Sequence, residues 1–385
     1  MDSNYIPIII NKNKIIFSTI AFIFYLNAYA QTEKIEFGEK HIINSSILKE
    51  EREIRIFVPN NNQNGNEKYQ VLYLLDAEWH FHFISALVDK LIATGDMPKT
   101  IIVGVVNNNR NKDLTPAGTN DNPQRFGGAE KFLDFITDEL QPWVKKNYNT
   151  HPYNILAGHS FGGLFAVYSM MKKPNAFQSY IVLSPSLGRN NEQQIRTAEK
   201  FFDAENHMPK DVYIAVGNEG GFTFLSTQKF VDILDKKSTH KFRYTFEHLP
   251  IENHASITAQ GYMNGLKFIY EGFNPEKLPM LDDIFLIEKH YKDLSEKYGH
   301  EFKIPEEYFQ KFIKEQIGER ELDYALFILG KYKDNYPQSI YVLQFFADIN
   351  LLQGNFDEAK KYYLQLDKAG VESDELKAIL KSLED

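Results

Sequence analysis

Cysteine does not occur among the 385 residues. Its absence excludes disulfides, thiolate metal sites, a cysteine nucleophile and a lipid-modified N-terminal cysteine. It leaves the compartment open, since an exported chain can do without disulfides. Runs of lysine and arginine are missing too. The net charge is −9 and no basic stretch is long enough to track a phosphate backbone, which argues against nucleic acid as a partner. Beyond the first thirty residues no apolar run approaches the roughly 20 residues that a bilayer span takes. What is abundant is aromatic bulk, 30 Phe and 22 Tyr, enough to fill the core of a chain whose length predicts more than one domain. With 43% hydrophobic and 25% charged residues, wholesale disorder is excluded.

Lys12 and Lys14 precede an apolar run, Ile15 to Leu26, followed by Ala28-Tyr29-Ala30. A positive flank, about a dozen apolar residues and a small-x-small site predict a signal peptide over residues 1–30, cut before Gln31. The competing reading, an uncleaved anchor lengthened by Ile8 to Ile10, stays open. The expectation is an exported protein, periplasmic or secreted, with no membrane span after cleavage.

From about residue 40 to 270, short apolar runs alternate with amphipathic stretches, the rhythm of an α/β fold. Arg52 to Val58 alternates polar and apolar, as an outer strand with one buried face would. Val71 to Leu75, Thr100 to Val106, Ile155 to Ala157, Tyr180 to Leu183 and Val212 to Val216 are continuously apolar, as expected of parallel strands covered on both faces. Helices are predicted over Phe81–Leu91, Ala129–Lys146, Leu164–Lys172 and Phe222–Lys236. After Phe273-Asn274-Pro275 the strand-like runs cease. Leu322 and Ala325 recur as Phe356 and Ala359 at an offset of 34 residues, the period of a tetratricopeptide unit. The predicted layout is therefore a signal peptide over 1–30, an α/β domain over 31–275 and an all-α, tetratricopeptide-like domain over 276–385. A plain helical bundle is the alternative for the last of these, because Val371 stands where the second unit should have proline.

Gly158-His159-Ser160-Phe161-Gly162-Gly163 follows an apolar strand and precedes a helical run, which is G-x-S-x-G in the context of a nucleophile elbow. Glycines flanking the serine permit a tight turn that projects its hydroxyl. A serine needs a base, and the base an orienting group, in the chain order Ser, acid, His. His254, in the polar loop Glu252-Asn253-His254-Ala255-Ser256 between a strand and a helix, is the candidate base, with His248 as competitor. Glu219, just after the strand ending at Val216, is the candidate acid. Asp232, Asp235 or a backbone carbonyl are alternatives. The backbone N–H groups of Phe161 and of Ala77 or its neighbour Glu78 are the candidate oxyanion donors. Trp79 and His80 are read either as pocket lining or as the first turn of a packed helix.

At these residues the chain resembles the "Putative esterase" family of α/β hydrolases, which includes siderophore, feruloyl and acetyl-xylan esterases, S-formylglutathione hydrolase and the mycolyltransferases. The likeness is carried by Val71 to Asp76, Val103-Gly104-Val105, Arg110 through Asp113 to Pro116, Phe132 to Leu140 ahead of Trp143, Ser184-Pro185-Ser186 and the His254 loop. Ala77 stands where many relatives have glycine. The resemblance implies an α/β-hydrolase fold with a mostly parallel sheet and an esterase working through Ser160, His254 and an acid at or near Glu219. It needs no metal or organic cofactor. The substrate it implies is a small-molecule or carbohydrate-linked ester, a siderophore or a polysaccharide acyl group. Acyl transfer on the same residues is the alternative, as is an interaction module in which the C-terminal helices bind a protein partner. Arg110, with Lys112, is expected either to hold an anionic substrate or to make a structural contact with Asp113. His159 and Ser186, beside and after the elbow, complete the candidate substrate contacts.

Overall fold

The structure, a computed structural model, describes residues 37–59, 68–118, 121–203, 210–239, 242–278 and 283–383. The predicted signal peptide lies outside the described residues.

Among the described residues eight strands form one sheet in the order β1-β2-β4-β3-β5-β6-β7-β8. They are β1 (Glu39–Ser45), β2 (Glu50–Phe57), β3 (Tyr69–Leu74), β4 (Thr100–Val105), β5 (Thr150–His159), β6 (Ser179–Leu183), β7 (Lys210–Gly217) and β8 (Phe242–Leu249). The β1–β2 and β2–β4 pairings are antiparallel and every other pairing is parallel. The continuously apolar runs became β3, β4, β6 and the centre of β5 and β7, buried on both faces as their composition requires. The alternating segment is β2, but it is not the outermost strand. β1, which carries no strong pattern of its own, pairs along its whole length and forms the edge.

The helices of the α/β part are α1 (Ala77–Ala93), α2 (Arg110–Asp113), α3 (Ala129–Asp134), α4 (Gln141–Asn147), α5 (Phe161–Lys172), α6 (Arg189–Phe202), α7 (Phe222–Lys237) and α8 (Ile257–Ile269). A π-helical turn, Phe135–Leu140, joins α3 to α4, so the helix expected over 129–146 is continuous but not regular. Helix α6 has no counterpart in the sequence reading. Its first turn holds three consecutive residues at positive φ, Asn190 to Glu192, which masks any helical period there. Among the described residues six helices follow: α9 (Ile284–Tyr298), α10 (Glu306–Glu319), α11 (Leu322–Asn335), α12 (Ile340–Leu352), α13 (Phe356–Lys368) and α14 (Asp374–Ser382).

Apolar side chains fill both faces of the sheet. On one face α3 to α7 cover Val71, Val103, Leu156 and Val182. On the other, α1 and α8 cover Leu72, Leu74, Ile155 and Leu183, and the same cluster runs on into α9 to α12 through Ile284, Tyr298, Phe309 and Tyr332. Tyr298 sits at that junction, its ring 5.1 Å from Tyr153 and 5.7 Å from Tyr270, its hydroxyl 3.0 Å from the Ile269 carbonyl. Gly38 to Asp385 forms one compact unit.

Candidate active site

The C-terminal ends of β3, β5 and β6 lie side by side, and each ends in a residue forced into positive φ without being glycine: Asp76 at 55°, Ser160 at 60° and Ser184 at 41°. An L-residue held there costs about 1 kcal/mol or more, so the fold carries this strain for something it positions.

Ser160 turns the chain from β5 into α5. Its amide is held by the Leu183 carbonyl at 2.9 Å. The turn closes so tightly that a Cβ on Gly158 would meet the Gly162 backbone at 2.4 Å, which explains the first glycine of the motif sterically. His254 arrives from the far side of the sheet. Its loop is pinned by Asn253, whose side-chain oxygen accepts from the amides of Ala255 and Ser256, both at 2.9 Å, and by Ser256 Oγ, which donates to Glu252. The loop rests against the end of β7, where a Cβ on Gly217 would lie 2.6 Å from the Glu252 carbonyl.

These constraints bring three of the sequence-predicted residues together. His254 Nε2 lies 3.0 Å from Ser160 Oγ, and His254 Nδ1 lies 2.6 Å from Glu219 Oε2. With the proton on Nδ1, the imidazole donates to the carboxylate and is free to accept the serine proton. The Glu219 side chain is only 9% exposed while His254 is 47% exposed. Burial pushes the Glu219 carboxyl upward, but hydrogen bonds from His254 and Ser184 outweigh it and hold the pKa below the ordinary glutamate value. The Ser184 hydroxyl donates to the other carboxylate oxygen. Asp235 instead accepts from Tyr244, Asp232 is solvent-exposed, and His248 is exposed with its ring against Phe224.

Phe161 is the first residue of α5 and Ala77 the first of α1, so their amides belong to first helical turns, whose N–H groups lack intrahelical acceptors. Ala77 is buried, packed against Gly104 and Phe81, whereas Glu78 is partly exposed. The loop is anchored by Asp76, wholly buried, which takes a bidentate pair from Arg110 at 2.7 and 2.8 Å and a third bond from Asn107 at 2.6 Å. Asn107 also bonds Glu78 at 2.8 Å. Arg110 therefore makes a structural contact, but with Asp76. Asp113 belongs to Arg52, 2.8 Å away. The Arg110 guanidinium also lies over Trp79 at 5.3 Å and Phe161 at 5.6 Å.

Trp79 and His80 are the first turn of α1. Trp79 is 63% exposed, whereas His80 turns inward. Ser186 Oγ is 3.5 Å from Ser160 Oγ, and His159 is buried beneath His254 with ring centres 4.7 Å apart. Burial, then the neighbouring His254 and His80, push the His159 pKa down to about 4. Ser160 itself is half-buried. The concavities at Pro275 and Tyr308 and at Thr137 and Lys173 have no site residue in their lining.

Three contributors escaped the sequence reading in these roles: Ser184, Asn107 and Asp76 as loop anchor. Their only local trace is a short polar residue at or just after the end of an apolar strand, which is also what an ordinary turn looks like.

The family model described as "Putative esterase" matches residues 45–257. A curated relative, the ferri-bacillibactin esterase BesA of Bacillus subtilis (strain 168), is 31% identical over 172 residues, 39% of this chain and 59% of that protein, so the chain spans about three-fifths of its length. Among solved structures, an IroE-like serine hydrolase from Shewanella oneidensis superposes with a TM-score of 0.67 at 28% identity, covering 77% of this chain and 99% of the other. An uncharacterised protein from Capnocytophaga ochracea DSM 7271 shares the fold alone, with a TM-score of 0.70 at 17% identity over 90% of this chain and 99% of its own. Coverage of that extent takes in the C-terminal helices as well as the sheet.

Proposed function

Because the chain belongs to the "Putative esterase" family, we propose that it is a serine carboxylic-ester hydrolase in which Ser160 is the nucleophile, His254 the base and Glu219 the orienting acid. The observation that carries this reading is the continuous Ser160–His254–Glu219 hydrogen-bond line, 3.0 and 2.6 Å. His254 takes the Ser160 proton as Oγ attacks the ester carbonyl. The oxyanion is held by the amides of Phe161 and of the Ala77–Glu78 turn, and His254 passes its proton to the leaving alkoxide. Water, deprotonated by the same imidazole, then attacks the acyl-enzyme and releases the acid. Removing one oxyanion donor typically costs about 3 kcal/mol of transition-state stabilisation.

For the substrate we favour a siderophore ester over a polysaccharide-linked acyl group. In support stand the siderophore esterases among the relatives. Export, with cleavage after Ala30, remains part of the proposal. Among the described residues no helix is long and apolar enough to cross a membrane. We also propose the boundary near 275/276 and a tetratricopeptide-like character for the region after it. Supporting this, α11 and α13 begin at Leu322 and Phe356, 34 positions apart, with Ala325 and Ala359 both buried. Exposed Phe327, Tyr341 and Phe356 there offer a surface to a protein partner.

The test is a panel of aryl acetates, feruloyl esters and catecholate siderophores, run with the wild type and Ser160→Ala. Turnover of the siderophore ester that vanishes in the variant supports the whole reading. A variant that keeps near-wild-type rates removes Ser160 as nucleophile. Product analysis with an added alcohol distinguishes hydrolysis from transfer.

A further inference from the structure

Phe161, the residue after the candidate nucleophile, is the middle rung of a ladder in which aromatic rings and guanidinium groups alternate. Arg110 lies over Trp79 at 5.3 Å and over Phe161 at 5.6 Å, while Arg189 lies over Phe161 at 5.8 Å and over Phe126 at 4.0 Å. Each separation is within the roughly 6 Å of a cation–π contact. The two cations are not equally engaged. Arg110 places Nε and Nη2 on Asp76, and Nη2 also reaches the His159 carbonyl. Arg189 has one ion pair among the described residues, Nη2 to Asp121 at 2.5 Å, and its buried Nε has no hydrogen-bond partner. An unpaired buried donor costs about 1–3 kcal/mol, which a residue kept only for packing would not impose. The backbone beyond Arg189 is strained as well: Asn190, Asn191 and Glu192 all lie in the left-handed region, at φ of 51°, 53° and 60°.

We propose that Arg189 is a specificity-determining residue beside Ser160, an anion subsite for an ester that bears a flat, negatively charged aryl group. The role rests on the reading of Ser160 as nucleophile given above. Three links tie Arg189 to that residue. Its amide donates to the Ser186 carbonyl at 3.3 Å, the Ser186 amide donates to the Ser160 carbonyl at 3.1 Å, and the two serine hydroxyl oxygens are 3.5 Å apart. The turn is positive in a chain of net charge −9. Asp121 is shared between Arg189, the Gly118 amide at 3.0 Å and the Asn190 side chain at 3.2 Å, so it screens Arg189 only in part. Glu192 is paired with Lys229 at 2.6 Å, and Arg196 donates to the carbonyls of Asn190 and Asn191, so cations outnumber carboxylates there. The Arg189 side chain is 19% exposed. A guanidinium so far withdrawn from water holds a carboxylate or phenolate more strongly than a fully hydrated one, and the Phe126 and Phe161 rings beside it suit an aryl plane. The exposed Phe222 ring adds an apolar wall, so close that a Cβ on Gly188 would lie 1.9 Å from it.

The experiment uses the full chain and two pairs of esters matched in shape. p-Acetoxybenzoate and p-tolyl acetate differ by a charge on the alcohol half, and phenyl p-carboxybenzoate and phenyl p-toluate by a charge on the acid half. We expect Arg189→Gln to lower the charged-to-neutral ratio of kcat/KM about tenfold in at least one pair. A ratio unchanged in both pairs overturns the proposal, even where absolute rates fall, since a merely structural role slows charged and neutral esters alike. Should Arg189→Gln not fold, inhibition of the wild type decides. Benzoate is then expected to compete with p-tolyl acetate about threefold or more better than benzamide, its neutral isostere, and equal or weaker inhibition overturns the proposal. If Ser160→Ala stays active, the underlying reading fails. If Ser160→Ala is dead and both ratios hold in Arg189→Gln, only this inference fails.

Discussion

The helical region and the strand ends at the candidate site use positive backbone φ in opposite ways. In the helical region it occurs at Gly299, Arg320, Gly354 and Gly370, all at helix C-termini, and around the three glycines a Cβ would meet nothing within 4 Å. That is ordinary helix termination, and glycine appears because it is the least strained residue there. In the α/β part it occurs at turns such as Lys49 and Asn190 to Glu192 too, but at the ends of β3, β5 and β6 it falls on Asp76, Ser160 and Ser184, whose side chains anchor a loop, carry the candidate nucleophile and brace the candidate acid. Its motif glycines, by contrast, are there for close approach. Positive φ in the helical region ends helices, and at the C-terminal ends of β3, β5 and β6 it aims side chains.

The sharpest way to break that contrast is to add one methyl group to each kind of glycine. Gly158→Ala drives a Cβ into the Gly162 backbone and is expected to abolish folding, whereas Gly354→Ala should cost about 1 kcal/mol. Thermal melts of the two variants, if alike, would erase the distinction. A smaller effect is expected from Ser184→Ala, which removes the hydroxyl bonded to Glu219 while leaving the sheet intact. Its kcat should fall about tenfold at a near-normal melting temperature, since a hydrogen bond to a charged group is worth about 1.5–3 kcal/mol.

Glu219 makes a pH prediction with a definite sign. Its folded pKa lies below the ordinary value of 4.5. The ionised carboxylate therefore adds stability that is full above that value and is lost as pH falls through the depressed folded pKa. Comparing Glu219→Gln with the wild type, the melting-temperature gap should be widest above pH 4.5 and close on further acidification. A gap that widened with acid would contradict the hydrogen bonding described. The smallest effect concerns the helical half. Ala347, Ala359, Tyr363, Leu366 and Leu376 form a cluster separate from the core beneath the site. A chain ending at Gln353 should keep kcat and KM and lose only a few degrees of melting temperature.

Much of the fold was legible because parallel strands buried on two faces must be apolar throughout, so β3, β4, β6 and β7 announce themselves. β1 did not, because an edge strand earns its place by pairing and carries mixed residues. Helix α6 did not, because its first turn is irregular. Ser160 and the His254 loop were readable for a related reason: a turn this tight between strand and helix, and an Asn-capped loop, leave their steric needs within a few residues. Arg110 was expected either to hold an anionic substrate or to contact the nearby Asp113, and the structure gives it Asp76, 34 positions back, leaving Asp113 to Arg52.

What the chain declares alone is whatever neighbouring residues must satisfy among themselves: apolar strands, a cramped serine turn, a 34-residue helical offset. Which carboxylate faces His254 was open between Glu219, Asp232 and Asp235, and so was what His159 touches. Those were decided only when β5, β6, β7 and β8 lined up in parallel and brought positions 35 to 94 residues apart within hydrogen-bond reach. A contact of that kind depends on the order and register of strands, which no single stretch of sequence contains.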